Sequence, residues 1–327
     1  MNILVTGGAG YIGGTVARQL LEAGHDVTVF DNLSKGYRAA VPEGTTFVQG
    51  NILDPRALDE LLGGAPFDAI LHFAALIEAG ESMREPWRFF HNNVTGSATL
   101  VEAAIRHGVG RFVFSSTAGI YASKDTPLNE DDPLGPASVY GETKLMVERV
   151  LHWYHEVHGL RYAALRYFNA AGALPDHGEA HQPESHLIPL VLQVALGQRE
   201  HIAIFGDDYP TPDGTCIRDY IHISDLASAH LLALGALAER AVMIYNLGNG
   251  AGYSVREVIE TARIVTGHPI PVVTTPRRPG DASRLVADAS RIRRDLGWQP
   301  QSPQLEDIIG SAWRWHQSHP RGYLNDR

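Results

Sequence analysis

The chain has 327 residues, 44% of them hydrophobic and 20% charged, so it can bury a sizeable core; disordered and fibrous classes are excluded. A net charge of −10 argues against a nucleic-acid or membrane-surface partner. A single cysteine, Cys216, excludes an internal disulfide framework and a Cys-based zinc site, so no metal is expected.

No apolar run is long enough for a transmembrane helix. Met1 leads directly into a strand pattern with no charged leader, so the expected location is the cytoplasm. Short apolar runs at Ile3–Thr6, Asp26–Phe30, Thr46–Val48, Ala69–Phe73, Arg111–Ser116 and Tyr162–Tyr167 predict strands. Helical patterns lie between them at Gly10–Ala23, Leu53–Leu62, Trp87–His107 and Ser138–His158. Repeated strand–helix alternation predicts an α/β fold: a doubly wound, Rossmann-like parallel sheet, which binds ligands at the carboxyl ends of its strands. After Asn169 the texture changes. Ala170–Ser185 and Tyr209–Gly214 read as loops; Ile202–Phe205, Ile217–Ile223 and Met243–Leu247 as strands; His186–Leu196, Ser224–Leu237, Ser254–Thr266 and Leu305–Ser318 as helices. We expect a coenzyme-binding domain over 1–168 and a smaller C-terminal α/β substrate-binding lobe over 169–327, with some segments returning to the first domain.

The segment Thr6–Gly13 places glycines at 7, 10 and 13, between a strand and a helix. Glycines there let bare backbone N–H groups and the positive end of a helix approach a pyrophosphate. Asp31 ends the second strand, where a carboxylate accepts hydrogen bonds from an adenosine ribose and repels a 2′-phosphate. NAD is therefore the expected cofactor. The G-x-x-G-x-x-G spacing is similar to that of the extended short-chain dehydrogenase/reductase superfamily.

Tyr140 and Lys144 stand four residues apart in a predicted helix and face one way. The chain has only three lysines, which makes a chance pairing rare. A phenol is a poor base at neutral pH, but a neighbouring ammonium and a cationic nicotinamide ring favour the phenolate, giving a base for a substrate hydroxyl. Thr117, at the end of the preceding strand, can hold the substrate oxygen near Tyr140; Ser115 and Ser116 are expected to line the cofactor site. Arg218 and Arg278 are candidates for a diphosphate, which wants planar, multi-donor partners. His152, His155 and His158 drift around their helix and read as a solvated face.

With these residues in hand, the whole chain resembles the UDP-glucose (UDP-galactose) 4-epimerases. The resemblance runs through Thr6–Gly13, Phe30–Leu33, His72–Ala75, Gly80–Ser82, Asn92–Val94 with Gly96, Ser115–Thr117 and Tyr140–Lys144. It continues through Leu165–Asn169, Ile204–Pro210 and Asp213–His222. It implies that Gly7, Gly10, Tyr11, Ile12, Gly13, Asp31, Asn32, Ile52, Phe73, Ala74, Ala75, Asn92, Ser115, Tyr140, Lys144 and Phe168 contact NAD. It implies that Thr117 binds the sugar, and that Asn169, Leu187, Ala203, Phe205, Arg218 and Arg278 hold the uridine diphosphate side; Asp281 is expected as a further substrate contact. The implied reaction interconverts UDP-glucose and UDP-galactose, by transient oxidation at C4, rotation of the keto sugar and re-reduction. A UDP-hexose is then the partner, and a homodimer the expected assembly.

Three positions depart from the pattern. Asn51 stands where the family often has Asp, and can still address adenine. His186 stands where some members have Asn. Leu285 stands where some carry a Tyr beside the sugar, and its smaller side chain suggests room for a 2-acetamido group. A 4,6-dehydratase would need an acid and a base after the Thr, where this chain has Ala118 and Gly119. Epimerases of other UDP sugars (xylose or arabinose) stay open, as does a non-enzymatic NAD-sensing module, although the latter would have no need of both Tyr140 and Lys144.

Overall fold

The structure, a computed structural model, describes residues 1–278 and 281–323. Its first half alternates β1 (Asn2–Thr6), α1 (Tyr11–Glu22), β2 (Asp26–Asp31), β3 (Thr46–Gln49), α2 (Pro55–Gly64), β4 (Ala69–His72) and the short α3 (Ala79–Ser82). There follow α4 (Pro86–Phe89), α5 (Gly96–Arg106), β5 (Arg111–Thr117), α6 (Val139–His158) and β6 (Arg161–Tyr167). The helix expected over Trp87–His107 is interrupted: residues Phe90–Thr95 form a π-helical turn between α4 and α5. Such turns gather at functional sites, and this one carries Asn92 and Asn93.

The second half contains β7 (Asn169–Ala171), α7 (Leu187–Ala195), β8 (Ile202–Phe205), β9 (Ile217–Arg218), β10 (Tyr220–His222), α8 (Ile223–Ala236) and β11 (Val242–Leu247). It ends with β12 (Tyr253–Ser254), α9 (Val255–Thr266), β13 (Val272–Thr275), β14 (Arg284–Leu285), α10 (Ser290–Leu296) and α11 (Leu305–Ser318). The strand expected over Ile217–Ile223 is cut at Asp219. Its buried carboxylate accepts backbone N–H bonds from Asn249, Gly250 and Ala287, so β9 pairs in one small sheet and β10 in another.

The principal sheet has seven strands in the order β11-β6-β5-β4-β1-β2-β3, all parallel. Both faces are covered, which is why its strands read as continuous apolar runs. On one face α1, α8 and α10 bury Val16, Leu20, Leu226 and Ile292 against Ile3, Val5 and Val29; on the other, α2, α5 and α6 bury Leu58, Leu100 and Leu151 against Leu4, Ile70 and Phe112. A separate core of α7, α9 and α11, with Val191, Val258 and Ile308, supports the smaller sheets. The strand order reverses beside β1, the point where open α/β sheets bind ligands.

Candidate active site

A cavity of about 350 Å³ opens at the carboxyl ends of β1, β2, β4, β5 and β6. Its floor is the glycine turn. Gly7 has φ +75°, and a Cβ there would lie 2.5 Å from the Ala74 backbone nitrogen. A Cβ on Gly13 would lie 2.3 Å from the Gly7 carbonyl oxygen, so only glycine lets α1 sit so close to β1. No side chain caps α1 at Gly10, which leaves its first turn available to an anion. Asp31 fixes the turn: Oδ2 accepts the Ala9 N–H at 3.0 Å and Oδ1 the Leu33 N–H at 2.8 Å. Burial pushes its carboxyl pKa up against those two bonds.

Gly7, Gly10, Tyr11, Ile12, Gly13, Asp31, Asn32, Ile52, Phe73, Ala74, Ala75, Asn92, Ser115, Thr117, Tyr140, Lys144, Phe168, Asn169 and His186 all line this one cavity. A backbone cradle that a Cβ would fill, an uncapped helix start and a strand-end carboxylate form a donor and acceptor set that fits NAD. Asn51 is not in the wall. Its side-chain oxygen accepts the Leu53 N–H at 3.0 Å, so the residue shapes its own turn.

Tyr140 and Lys144 are set by the start of α6. Ser138 caps that helix by accepting the Gly141 N–H at 3.1 Å, and the Tyr140 N–H donates to Ser82 Oγ at 3.0 Å. Asn93, buried in the π-helical turn, bonds both backbone groups of Leu76 and donates to Thr143 Oγ1 at 3.1 Å, locking the β4 loop to α6. Lys144 Nζ donates to the Ser115 carbonyl at 2.7 Å and lies 4.8 Å from the Phe114 ring centroid. Burial drives its pKa down to about 7.

The phenol of Tyr140 is likewise pushed up to about 12, by burial first; a hydrogen bond with Thr117 works against the shift, and the charge of Glu78 adds to it. Burial thus opposes the phenolate in the protein by itself, before the cationic ring of the expected coenzyme is counted. Lys144 spends its charge on Ser115, and both groups are desolvated.

Of the residues expected to hold the nucleotide diphosphate, Asn169 lies in this wall and the others fall into a second group. Arg278 lies over the Phe205 ring at 3.7 Å. Arg218 donates to the carbonyls of Ile217 and Ala282 at 2.9 Å each and stands 3.5 Å from Asp281. Leu285 pairs with Arg218 across β14 and β9 and packs against a cluster containing Phe168, which reaches the cavity. Asn169 joins the two groups, donating from its side chain to the Asp219 carbonyl at 3.0 Å. Leu187 opens α7 and packs on the second core; Ala203 sits in β8, paired with Val273. Asn169 lines the cavity with Tyr140, while the side chains of Arg218 and Arg278 engage nearby carbonyls and the Phe205 ring. Pro279 and Gly280, in the same motif as Arg278, lie outside the described residues.

Sequence reasoning missed Lys35, Tyr37, Glu179, His181 and Tyr323 in the cavity wall. None belongs to a spaced motif. Tyr323 arrives from the far end of the chain, where its hydroxyl bonds His177 Nδ1 at 2.7 Å.

The NAD dependent epimerase/dehydratase family matches over residues 3–248. The UDP-glucose 4-epimerase of Halalkalibacterium halodurans is 52% identical over 100% of this chain and 98% of its own. A crystal structure of UDP-glucose 4-epimerase from Brucella ovis in complex with NAD superposes with a TM-score of 0.93 at 41% identity, covering 98% of each chain. The UDP-Glc/GlcNAc 4-epimerase from Campylobacter jejuni superposes with a TM-score of 0.86 at 41% identity, covering 97% of this chain and 99% of its own. A glycine cradle for a dinucleotide, a Tyr/Lys pair on the helix beside it and similarity along the full length lead to one conclusion: this chain belongs to the NAD dependent epimerase/dehydratase family.

Proposed function

We propose that the chain interconverts UDP-glucose and UDP-galactose, with Tyr140 moving the proton of the sugar 4-hydroxyl. The observation that carries this reading is the convergence of Tyr140, Thr117 and Lys144 on one wall of a cavity floored by the glycine turn. NAD, when bound, supplies a reversible two-electron oxidant for the C4 alcohol and a cationic ring that favours the phenolate. Thr117 orients the sugar oxygen at the phenol. Tyr140 takes the proton as the alcohol is oxidised and returns it on reduction. Lys144 holds the end of β5 through Ser115, one helical turn from Tyr140.

Arg218 and Arg278 hold the diphosphate side in a C-terminal lobe starting near residue 169, so that the keto sugar turns while its nucleotide stays fixed. Purified protein incubated with UDP-galactose, without added reductant, should yield UDP-glucose. No inversion at C4 would refute the reading.

Leu285 supports acceptance of a 2-acetamido group. It is an aliphatic side chain packed among Phe168 and its neighbours, and brings no hydroxyl to the sugar. UDP-N-acetylglucosamine turned over alongside UDP-galactose supports this; turnover of UDP-galactose alone rejects it. A homodimer is supported by large apolar side chains exposed on helices that pack together: Trp87 on α4 is 75% exposed and Trp153 on α6 is 65% exposed. Light scattering of the eluted protein decides between one copy and two. A buried Cys216 with no second cysteine suits the cytoplasm. Among the described residues no helix is long and apolar enough to cross a membrane.

A further inference from the structure

Three loops meet over the cavity, no strand ladder joins them, and one carboxylate ties them together. Lys35, in the loop after β2, places Nζ 2.5 Å from Glu78 Oε1. Glu78 lies between β4 and α3, and its side chain is only 9% exposed. His181, from the segment between β7 and α7, brings Nε2 to 3.5 Å from the same Glu78 oxygen and Nδ1 to 3.5 Å from Glu179 Oε1. Lys35 also donates to the Gln182 carbonyl at 3.3 Å, and the Tyr37 hydroxyl to the Ala180 carbonyl at 3.0 Å. Lys35, Tyr37, Glu179 and His181 all line the cavity, and the Tyr37 N–H donates to the Ala9 carbonyl of the glycine turn at 3.0 Å. The proton-transfer chemistry uses none of them.

The loop after β2 and the segment before α7 share an apolar cluster of Tyr37, Ala40, Ala173, Ala180 and Tyr323, whereas Glu78 is joined to both by charge pairs. A coenzyme entering or leaving must part them. His181 Nε2 is buried and has no hydrogen-bond partner, so its pairing with Glu78 at 3.5 Å is the interaction that answers its charge on that side. Removing the carboxylate leaves two cations facing each other without their shared partner, which drives the loops apart.

We propose that Glu78, paired with Lys35 and His181, is a clasp that closes these loops over bound NAD and retains it between turnovers. Glu78 is a positioning residue: it acts through the loops. This inference rests on the NAD reading of the cavity. Activity is a poor measure of it, because the charge of Glu78 also raises the Tyr140 phenol. The readout is coenzyme release.

The experiment measures NAD content after purification and the exchange of bound for labelled NAD in wild type, Glu78→Gln and Lys35→Gln. Wild type should hold stoichiometric NAD and exchange it slowly. Both variants should release it about tenfold faster or more, as expected when one partner of a desolvated charge pair is removed. Lys124→Gln breaks an ion pair with Asp132 that is not part of the cavity wall, and should exchange like wild type. If Glu78→Gln does not fold, Lys35→Gln decides alone, since Lys35 sits on a surface loop. Unchanged exchange in both foldable variants, or the same acceleration in Lys124→Gln, overturns the clasp. A wild type that holds no NAD would instead refute the coenzyme site itself.

Discussion

The coenzyme half and the nucleotide-sugar half of the site are built from different materials. The first is mostly backbone: a turn whose glycines touch neighbouring peptide groups, held by Asp31 through two N–H bonds. The second is mostly side chains on short strands: Arg278 on Phe205, and Arg218 on two carbonyls. Backbone geometry is rigid and keeps a coenzyme in place through the cycle. Exchangeable side-chain contacts suit a ligand that must arrive, turn and depart. In the proposed reaction Tyr140, Thr117 and Lys144, which belong to the first half, act on what the second half holds.

The largest test breaks the chemistry and leaves both halves standing. Tyr140→Phe should lower turnover by about 10²–10⁴-fold, the usual share of a positioned proton-transfer group, with NAD still bound. Single-turnover rates and coenzyme content check this; near-normal turnover would remove Tyr140 from its role.

Next comes the backbone of the coenzyme half. Gly7→Ala must place a methyl 2.5 Å from a backbone nitrogen, at a left-handed φ. Gly24→Ala shares a left-handed φ, with nothing within 4 Å. Backbone strain alone costs about 1–2 kcal/mol, so Gly24→Ala should show only that, while Gly7→Ala should cost more and lose NAD as well. Equal urea midpoints for the two variants would contradict a sterically fixed cradle.

The substrate half should respond in KM. Arg278→Met and Arg218→Met each remove a charged partner for a diphosphate, worth about 1.5–3 kcal/mol, or roughly 10- to 100-fold in KM for the UDP sugar, with NAD content unchanged. Loss of NAD in either variant would mean that the two halves are not separable.

This division also explains what was legible in the sequence. The glycine turn, Asp31 and the Tyr140–Lys144 pair are local patterns whose spacing encodes their geometry, and they meet in one cavity. The doubly covered sheet was legible because its strands are short apolar runs. What escaped was assembled by tertiary contact. Asp219 splits the expected strand because its carboxylate collects three distant N–H groups. The π-helical turn follows from Asn93 bonding Leu76, 17 residues away, and Thr143, 50 residues away. Lys35, Glu78 and His181 come from three unrelated loops. Tyr140 and Lys144 line one cavity, yet their protonation depends on burial, which spacing does not report.

The smallest expected effect concerns His181, in the wall of the coenzyme cavity between β7 and α7. Burial disfavours its charge, but Glu179 and Glu78 overcome this and raise its pKa to about 10, from an ordinary 6.5. His186, 5.9 Å away between ring centroids, and Lys35, through their shared Glu78, oppose the charge from the facing loops. Between pH 6.5 and about 10 the folded chain holds the His181 proton and the unfolded chain does not. Its stabilisation is therefore complete below pH 6.5 and fades as pH rises toward 10. Lys144 works in the opposite sense: its pKa is lowered to about 7 from 10.5, so its contribution to stability rises with pH across nearly the same range. A plain pH–stability curve superposes the two; the difference between wild type and His181→Asn isolates the first. The Tm advantage of wild-type holoenzyme over His181→Asn should be largest near pH 6 and shrink steadily toward pH 10. A constant advantage across that range would mean that His181 supports the loops by packing rather than by charge.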